Sequence, residues 1–283
     1  MKDTSMKTQH AIFMATLFST MCPAETATLK LTYENLDFDN SVKKDKGQKY
    51  GLELSYRMEK NLYQVAYEKT DTKTFKPPLN QNLHVNKYYF KYTRSLDDMQ
   101  ALTASYATID DNLMKETDGG YIYGLGYRYG DLEFIQYLSD YKHFNVYQTD
   151  VKYIYKKRVG GFKTATAFIG KYIHLQDRES NGFSKNAKEN YFTPGIKFHA
   201  HYEDYHFGAG AFFGKRIFAV MNDGFRVQHH AMEFNETYMV GVGKHFDNLD
   251  LTLKYVYQNA TEIPIDNENV KVKNVMLQLR YRF

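Results

Sequence analysis

Hydrophobic and polar residues alternate along most of the chain with the period of two that predicts β-strands. The last nine residues show the pattern clearly: Val275, Leu277, Leu279, Tyr281 and Phe283 share one parity, and two arginines lie on the other. A strand points alternate side chains to opposite faces, so one face of this segment is apolar and ends in aromatic rings. An amphipathic edge strand of a soluble sheet would alternate in the same way, so the segment alone leaves both interpretations open.

The alternation recurs in about fourteen segments of roughly 10 to 14 residues, the length expected of tilted strands that cross a bilayer. The seventh segment, near residues 132–141, and the ninth, near 162–175, have ambiguous parity. Short turns alternate with longer polar loops at all but the seventh-to-eighth connection. Predicted longer loops include residues 43–47, 70–83, 177–189, 219–233 and 260–269. An even strand count, with short and long connections in alternation, predicts an all-β, transmembrane, antiparallel up-and-down β-barrel. A soluble β-sandwich has no reason to alternate short and long connections.

The composition agrees with a barrel and excludes a helical membrane protein. The chain has 26 Tyr and 20 Phe residues but no Trp, and tyrosine favours the boundary between lipid and water. The mean hydropathy of −0.61 is low, and after residue 24 no segment approaches the roughly 20 apolar residues that a spanning helix needs. A barrel tolerates this polarity because lumen residues dilute its lipid-facing residues.

The N-terminus has the features of a secretory signal. Lys2 and Lys7 precede a short apolar run, residues 11–21, and small residues at Cys22 and Ala24 suit cleavage after Ala24. We therefore predict a signal peptide over residues 1–24 and one barrel domain over residues 25–283. A buried N-terminal helix and a lipoprotein acylated at Cys22 are the alternatives.

The last segment resembles the terminal strand of bacterial outer-membrane β-barrels, and the chain is similar in size and strand count to fourteen-stranded single-chain porins. This resemblance implies a Gram-negative outer-membrane location and passive diffusion of small hydrophilic solutes. It also implies an assembly signal at Tyr281 and Phe283 that is read by the barrel-assembly machinery, with outer-membrane lipids and lipopolysaccharide as further partners.

If the apolar parity faces lipid, the opposite parity lines the lumen and is rich in charge. Positive charges outnumber negative ones there, which favours a hydrated pore that prefers anionic solutes. The predicted pore-lining residues are Lys49, Arg57, Lys87, Lys91, Arg128, Lys152, Lys156, Lys197, Lys254, Arg280, Arg282, Glu34, Glu53 and Asp150. Any single one of them could instead be a salt-bridged wall residue. A long loop could also fold inward. The formal net charge of +4 is too small, and its basic residues too interleaved, to predict nucleic-acid binding.

Enzymatic readings find little support. The residues at 180–182, Ser-Asn-Gly, resemble part of the serine motif of outer-membrane phospholipases, but Arg178 stands where that motif places a histidine. His199 and His201 share a parity and could bind a metal, although hydrated lumen histidines suit the pattern better. We therefore predict no catalytic site, no metal and no cofactor. The alternative to a channel is a structural or surface-binding barrel with a blocked lumen, whose loops bind a partner.

Overall fold

The computed structural model describes residues 26–75, 81–114, 117–176, 187–228 and 232–283. The signal predicted over residues 1–24 and the residues at 180–182 lie outside these ranges. The strands are β1 (Thr26–Asp39), β2 (Lys44–Met58), β3 (Asn61–Thr74), β4 (Leu83–Ser95), β5 (Gln100–Asp111), β6 (Tyr121–Tyr129), β7 (Leu132–Tyr141), β8 (Phe144–Val159), β9 (Phe162–Gln176), β10 (Asn190–Tyr202), β11 (Tyr205–Phe212), β12 (Val220–Met221), β13 (Arg226–Val227), β14 (Met232–Phe246), β15 (Leu249–Glu262) and β16 (Asn267–Arg282).

Fourteen of these strands form one closed antiparallel barrel, and β12 and β13 form a separate two-stranded sheet. Each barrel strand pairs with its neighbours along the chain, and β16 pairs with β1 to close the barrel, with Leu31 opposite Leu279. Closure leaves no free sheet edge, so the backbone polar groups of the strands are satisfied within the barrel. The predicted fold class and strand number are confirmed.

The described residues include no helix long and apolar enough to span a membrane.

The outer surface of the barrel is apolar and aromatic. Leu125 is 69% exposed and Phe192 is 64% exposed on the outer face of their strands. Residues of the opposite parity point into the lumen, where Ile122 of β6 and Tyr191 of β10 are each 3% exposed. The side-chain parity predicted for the clear strands is therefore correct, and the outer belt is the surface that a bilayer would cover.

The two strands of ambiguous parity also have a defined inner face. Ile135 and Tyr137 of β7, and Ile173 and Leu175 of β9, are buried inside the barrel. Their outward partners are apolar as well, so both faces of these strands read as hydrophobic. The alternation is lost because this part of the lumen encloses a hydrophobic core rather than water.

The two ends of the barrel differ in the length of their connections. At one end, here called the short-turn end, turns of two to four residues join β2 to β3, β4 to β5, β6 to β7, β8 to β9, β10 to β11 and β14 to β15. The connections at the other, long-loop end are uneven. Those between β1 and β2 and between β15 and β16 are also short, so most of the residues predicted as loops at 43–47 and 260–269 belong to strands. These strands extend because β1 continues to pair with both neighbours, as Asp37 does with Lys46 and Lys273.

Candidate functional site in the barrel lumen

The connection from β11 to β14 folds into the barrel and defines the shape of the lumen. Residues 213–228 of this connection are called the inward loop below. Ile217, Phe218 and Ala219 are each fully buried, and the Phe218 ring lies 4.9 Å from the ring of Phe144 and 5.8 Å from that of Tyr141, between centroids. The loop thus fills one side of the lumen with a hydrophobic core against the inner faces of β4 to β10. The sequence favours a hydrated, charged interior and leaves open that a long loop folds inward, and on this side of the lumen a loop does so.

Wall side chains satisfy the backbone of the inward loop at Val220. The Val220 N–H donates to Oε1 of Gln148 at 2.8 Å, and its carbonyl accepts from Nε2 of Gln148 at 2.7 Å. The Lys171 ammonium donates to the same carbonyl at 3.1 Å and forms an ion pair with Asp150. A buried backbone group without a partner costs free energy, so these contacts hold the loop in one position.

The tip of the loop is a single tight turn, residues 222–224, anchored by two lysines. Asn222, Asp223 and Gly224 all have positive φ, with Gly224 at 101°. Lys91 donates to the Asp223 carbonyl at 3.0 Å, and Lys152 donates to its carboxylate at 2.9 Å. Burial by itself would raise the pKa of the Asp223 carboxyl, but Lys152 and Lys91 together lower it to about 2. The tip is therefore tied to β4 and β8 by charge at every physiological pH.

A network of buried ion pairs connects the other arm of the loop to β1–β4. Arg226 donates to Glu34 at 2.9 Å, and Lys49 lies 3.2 Å from Glu34 and 3.5 Å from Glu68. Lys87 in turn donates to Glu68 at 3.1 Å and to the carbonyl of Val227 at 3.0 Å. Three cations therefore share two carboxylates, which all lie in the interior. Together with the pairs around Asp150 and Asp223, this network is called the paired side of the lumen.

The opposite side of the lumen is open. A cavity of about 550 Å³ lies between the loop tip at Asn222 and the inner faces of β10, β11 and β14–β16, and it adjoins a smaller one of about 270 Å³ beside β1–β3. Gly208 and Gly241, which pair across β11 and β14, line this cavity without a side chain, and Gly210 and Gly243 occupy the adjacent lumen positions of the same strands. Side chains lie across these glycines: a Cβ at Gly210 would stand 3.2 Å from Cγ of Lys197, and one at Gly241 would stand 2.8 Å from Cγ of Lys254.

The large cavity is lined mainly by basic side chains. Its charged and titratable lining residues are Lys30, Lys197, His199, His201, His206, His245, Asp250, Lys254, Arg280 and Arg282. Lys30 pairs with Glu53, and Arg282 donates to Nε2 of His245 at 3.0 Å. Lys197, Lys254 and Arg280 form no ion pair with any residue that the structure describes. This region is called the unpaired side below.

Four histidines occupy the unpaired side near the short-turn end. The Nε2 atoms of His199 and His201 lie 2.7 Å apart, and the His206 ring lies 5.8 Å and 5.7 Å from theirs, between centroids. His206 contacts Thr252 at 2.9 Å and lies 3.6 Å from Asp250, whose second oxygen is 3.3 Å from His245. Within the described ranges, no group of three or more His, Cys, Asp or Glu residues is placed to hold a metal ion.

The predicted pore-lining residues therefore divide into three groups. Six of them belong to the paired side: Glu34, Lys49, Lys87, Lys91, Lys152 and Asp150. Four face the open cavity: Lys197, Lys254, Arg280 and Arg282. Glu53 pairs with Lys30, which lines the same cavity. Arg57, Arg128 and Lys156 are exposed at the short-turn end, where Lys156 pairs with Asp131 at 2.8 Å.

Sequence reasoning missed several residues that shape the site. Asp223 and Arg226 lay in the loop predicted at residues 219–233, and no pattern in the sequence shows which of the long loops folds inward. Lys171 was hidden by the ambiguous parity of β9. Glu68 shares the lumen parity of β3 and could have been found from its position opposite Lys87.

The residues of the predicted assembly signal lie where β16 closes the barrel. The rings of Tyr281 and Phe283 point outward with their centroids 5.0 Å apart, and the Phe283 N–H donates to the carbonyl of Ala27 at 3.0 Å. Their role in assembly remains a prediction.

Comparison with known proteins identifies the fold but no close relative. Neither a protein-family model nor a curated protein sequence matches the chain. Among solved structures, outer membrane protein Omp33 of Acinetobacter baumannii matches at 10% identity and a TM-score of 0.50, over 91% of this chain and 99% of that one. A bacterial polysaccharide outer membrane secretin matches at 8% identity and a TM-score of 0.56, over 91% and 98% of the two chains.

The chain has the fold of integral outer-membrane β-barrels. Its closed fourteen-stranded sheet and its apolar outer belt agree with that fold. At these identities the likeness extends to the fold alone, so function has to be argued from the lumen.

Proposed function

We propose that this barrel is a porin-like channel for the passive diffusion of small hydrophilic solutes and that it prefers anions. The observation that carries the proposal is the open, basic side of the lumen, where Lys197, Lys254 and Arg280 face a cavity of about 550 Å³ without paired carboxylates. Fixed positive charge in a narrow aqueous space raises the local concentration of anions and repels cations.

The inward loop would act as the constriction of this channel. It fills the side of the lumen next to β4–β10 and leaves the side next to β10–β16 and β1. Solutes would then pass the loop tip at Asn222 on the side that carries the unpaired cations. The selectivity should accordingly depend on a few residues of that side rather than on the whole charge of the lumen.

A blocked barrel that binds a partner through its loops is the second candidate. The observation in its favour is the segment Ile217–Ala219, which is fully buried in a hydrophobic cluster inside the barrel. If the loop stays in place and the remaining space does not run through, the barrel conducts no ions.

Conductance of the purified full-length protein in planar bilayers tests both candidates. The channel is expected to show unitary ion conductance, and a salt gradient should give a reversal potential on the anion-selective side. Cation selectivity would refute the anion preference. The wild type could instead conduct no ions and begin to conduct once residues 216–227 are exchanged for a short Gly-Ser linker. That result would favour the blocked barrel over the channel.

Processing and targeting complete the proposal. We expect cleavage after Ala24, folding by the barrel-assembly machinery, and contact with outer-membrane lipids and lipopolysaccharide on the outer belt. Intact-mass measurement of protein from outer membranes checks the cleavage site, and a retained Met1 or a lipid mass on Cys22 would contradict it.

A further inference from the structure

We propose that the unpaired side of the lumen is a saturable binding site for multivalent organic anions and that binding is coupled to proton uptake by His199 and His201. The inference deepens the proposed function, on which it rests for its biological meaning, by naming the solute class and a pH dependence. The inference depends on the cavity on the unpaired side, and anion binding to that cavity can be measured without any ion flow.

Uncompensated positive charge is the first argument. Most cations of the paired side pair with carboxylates, and Lys91 donates to the backbone carbonyl of Asp223. Lys197, Lys254 and Arg280 instead face one cavity with no ion pair among the described residues. Like charges held around a confined space repel one another, and an anion in that space relieves the repulsion. Asp250 is the one carboxylate among the lining residues, and its two oxygens lie 3.6 Å from His206 and 3.3 Å from His245.

The cavity has the size of a binding site for a small organic molecule. Its volume of about 550 Å³ lies in the range of about 300–1,000 Å³ that is typical of ligand sites. The glycines of β11 and β14 create this volume and let the stems of Lys197 and Lys254 lie against the wall. Lys197 and Lys254 therefore line the same cavity from different strands. This arrangement suits an anion with two or more separated charges.

The contact between His199 and His201 adds a proton-dependent element. At 2.7 Å between the two Nε2 atoms, one ring must donate its N–H and the other must accept it. The pair can hold this contact when both rings are neutral or when one is protonated. A second proton would place two N–H donors face to face, break the contact and add charge beside the lysines.

The surroundings of the histidines offer little compensation for that charge. The charged and titratable groups that line the cavities beside them are Lys30 of β1, Lys156, Lys157 and Arg158 of β8, Lys163 of β9, Lys197 of β10 itself, His206 of β11, His245 of β14, Asp250 and Lys254 of β15, and Arg280 and Arg282 of β16. Cations outnumber the single carboxylate. A bound anion would therefore favour protonation of the pair, and by linkage protonation would favour the anion to the same extent.

A divalent metal ion is the competing occupant of a histidine cluster, and the charges argue against it. The neighbouring lysines and arginines would repel a cation, and the Nε2 atom of His206 is directed at Thr252 rather than at the other two rings. We therefore commit to an anion and use the metal as an outcome of the test.

Isothermal titration calorimetry of the detergent-solubilised, folded barrel with benzene-1,3-disulfonate tests the proposal. This probe keeps both negative charges throughout the relevant pH range, so any pH dependence belongs to the protein. We expect saturable binding that tightens about tenfold from pH 7.5 to pH 5.5, because each proton taken up by the His199–His201 pair adds positive charge beside the bound anion. We also expect a binding enthalpy that depends on the ionisation enthalpy of the buffer, which reports proton uptake, and weaker binding of the monoanion benzenesulfonate.

Variants separate the anion site from the proton-dependent element. Lys254→Gln should weaken binding about tenfold at both pH values, since it removes one charged contact with the anion. His199→Asn with His201→Asn should retain binding at pH 7.5 but lose the gain at pH 5.5 and the buffer dependence. Lys244→Gln and His84→Asn are the matched controls, because both residues lie on the outer face of the barrel, Lys244 beside Tyr205 and Phe246.

Three results would overturn the proposal. The first is that the disulfonate does not bind to a barrel that migrates as folded. The second is that the double histidine variant keeps the pH dependence of the wild type. The third is that Ni²⁺ binds, the double variant abolishes its binding, and the disulfonate does not bind. Conductance is measured separately on the same preparation. A conducting barrel that fails to bind the anion refutes this inference alone, and a barrel that binds it without conducting refutes the channel.

Discussion

The two sides of the lumen contain similar charged residues but place them in different surroundings. On the paired side, Lys49 and Lys87 lie within 3.5 Å of carboxylates and are almost fully buried. On the unpaired side, Lys197 and Lys254 lie half-buried beside a cavity with no such partner among the described residues. The first set holds the inward loop in place, whereas the second leaves its charge available to a solute.

This difference shows that the number of lumen-facing Lys and Arg residues counted from the sequence does not give the unpaired positive charge that a solute would meet. Most of the predicted lumen lysines are paired with carboxylates nearby, and the inward loop supplies one of these carboxylates, Asp223 beside Lys152. The loop also adds a cation of its own, Arg226, which pairs with Glu34. A selective region arises where the wall residues opposite the cations are glycines, since these supply space but no counter-charge.

The largest effect is expected from breaking the paired side. Glu34 is 1% exposed and is shared by Arg226 and Lys49. Glu34→Gln should lower the free energy of unfolding by about 3 kcal/mol, because removing one member of a buried ion pair leaves its partners uncompensated. Urea unfolding in lipid vesicles, followed by the gel mobility of unheated samples, measures the change.

Lys254→Gln is the matched variant on the unpaired side. It should leave the free energy of unfolding unchanged or slightly raised, because Lys254 loses no ion pair with the described residues. If both variants destabilise the barrel equally, the distinction between the two sides is wrong.

The next effect concerns selectivity. Lys254→Gln combined with Arg280→Gln should reduce the anion-to-cation permeability ratio about twofold or more, because both charges face the open cavity. Reversal potentials in a salt gradient give the ratio. Glu34→Gln combined with Lys49→Gln removes an ion pair from the paired side without changing the net charge, and the ratio should then stay close to that of the wild type.

A smaller effect is expected at the loop tip. The pKa of Asp223 is lowered to about 2, so its charge-dependent stabilisation is complete above the ordinary value of 3.8 and is lost only as the pH falls through about 2. Hydrogen exchange of the loop amides, corrected for intrinsic rates, should thus show the same protection at pH 5 and pH 7.5. Asp223→Asn should reduce that protection several-fold at both pH values. Loss of protection in the wild type at pH 5 would show that another group holds the tip.

The smallest effect is expected at the rim. Lys156 and Asp131 are 67% and 46% exposed and form a pair at 2.8 Å. Lys156→Gln should change the free energy of unfolding by less than about 0.5 kcal/mol, since water already stabilises both charges. A change of 2 kcal/mol or more in the urea assay would mean that the paired side extends to the short-turn end.

The sequence by itself determined the barrel and the outward faces of its clear strands. Alternation is a local property, because each side chain on a strand faces either lipid or lumen, and the period of two records that choice residue by residue. It also placed Lys197, Lys254 and Arg280 on the lumen side. The pattern failed where both faces are apolar, at β7 and β9, and this failure marked the part of the wall that meets the inward loop.

Only the tertiary structure decided that residues 213–228 enter the lumen and which charges they neutralise. Lys49 and Lys254 have the same parity and the same kind of side chain in the sequence. What distinguishes them is their surroundings in space: Glu34 and Glu68 beside one, and Gly241 and an open cavity beside the other. Contacts with a loop that crosses the lumen join residues far apart in the chain, such as Glu34 and Arg226, and strand alternation holds no information about such pairs.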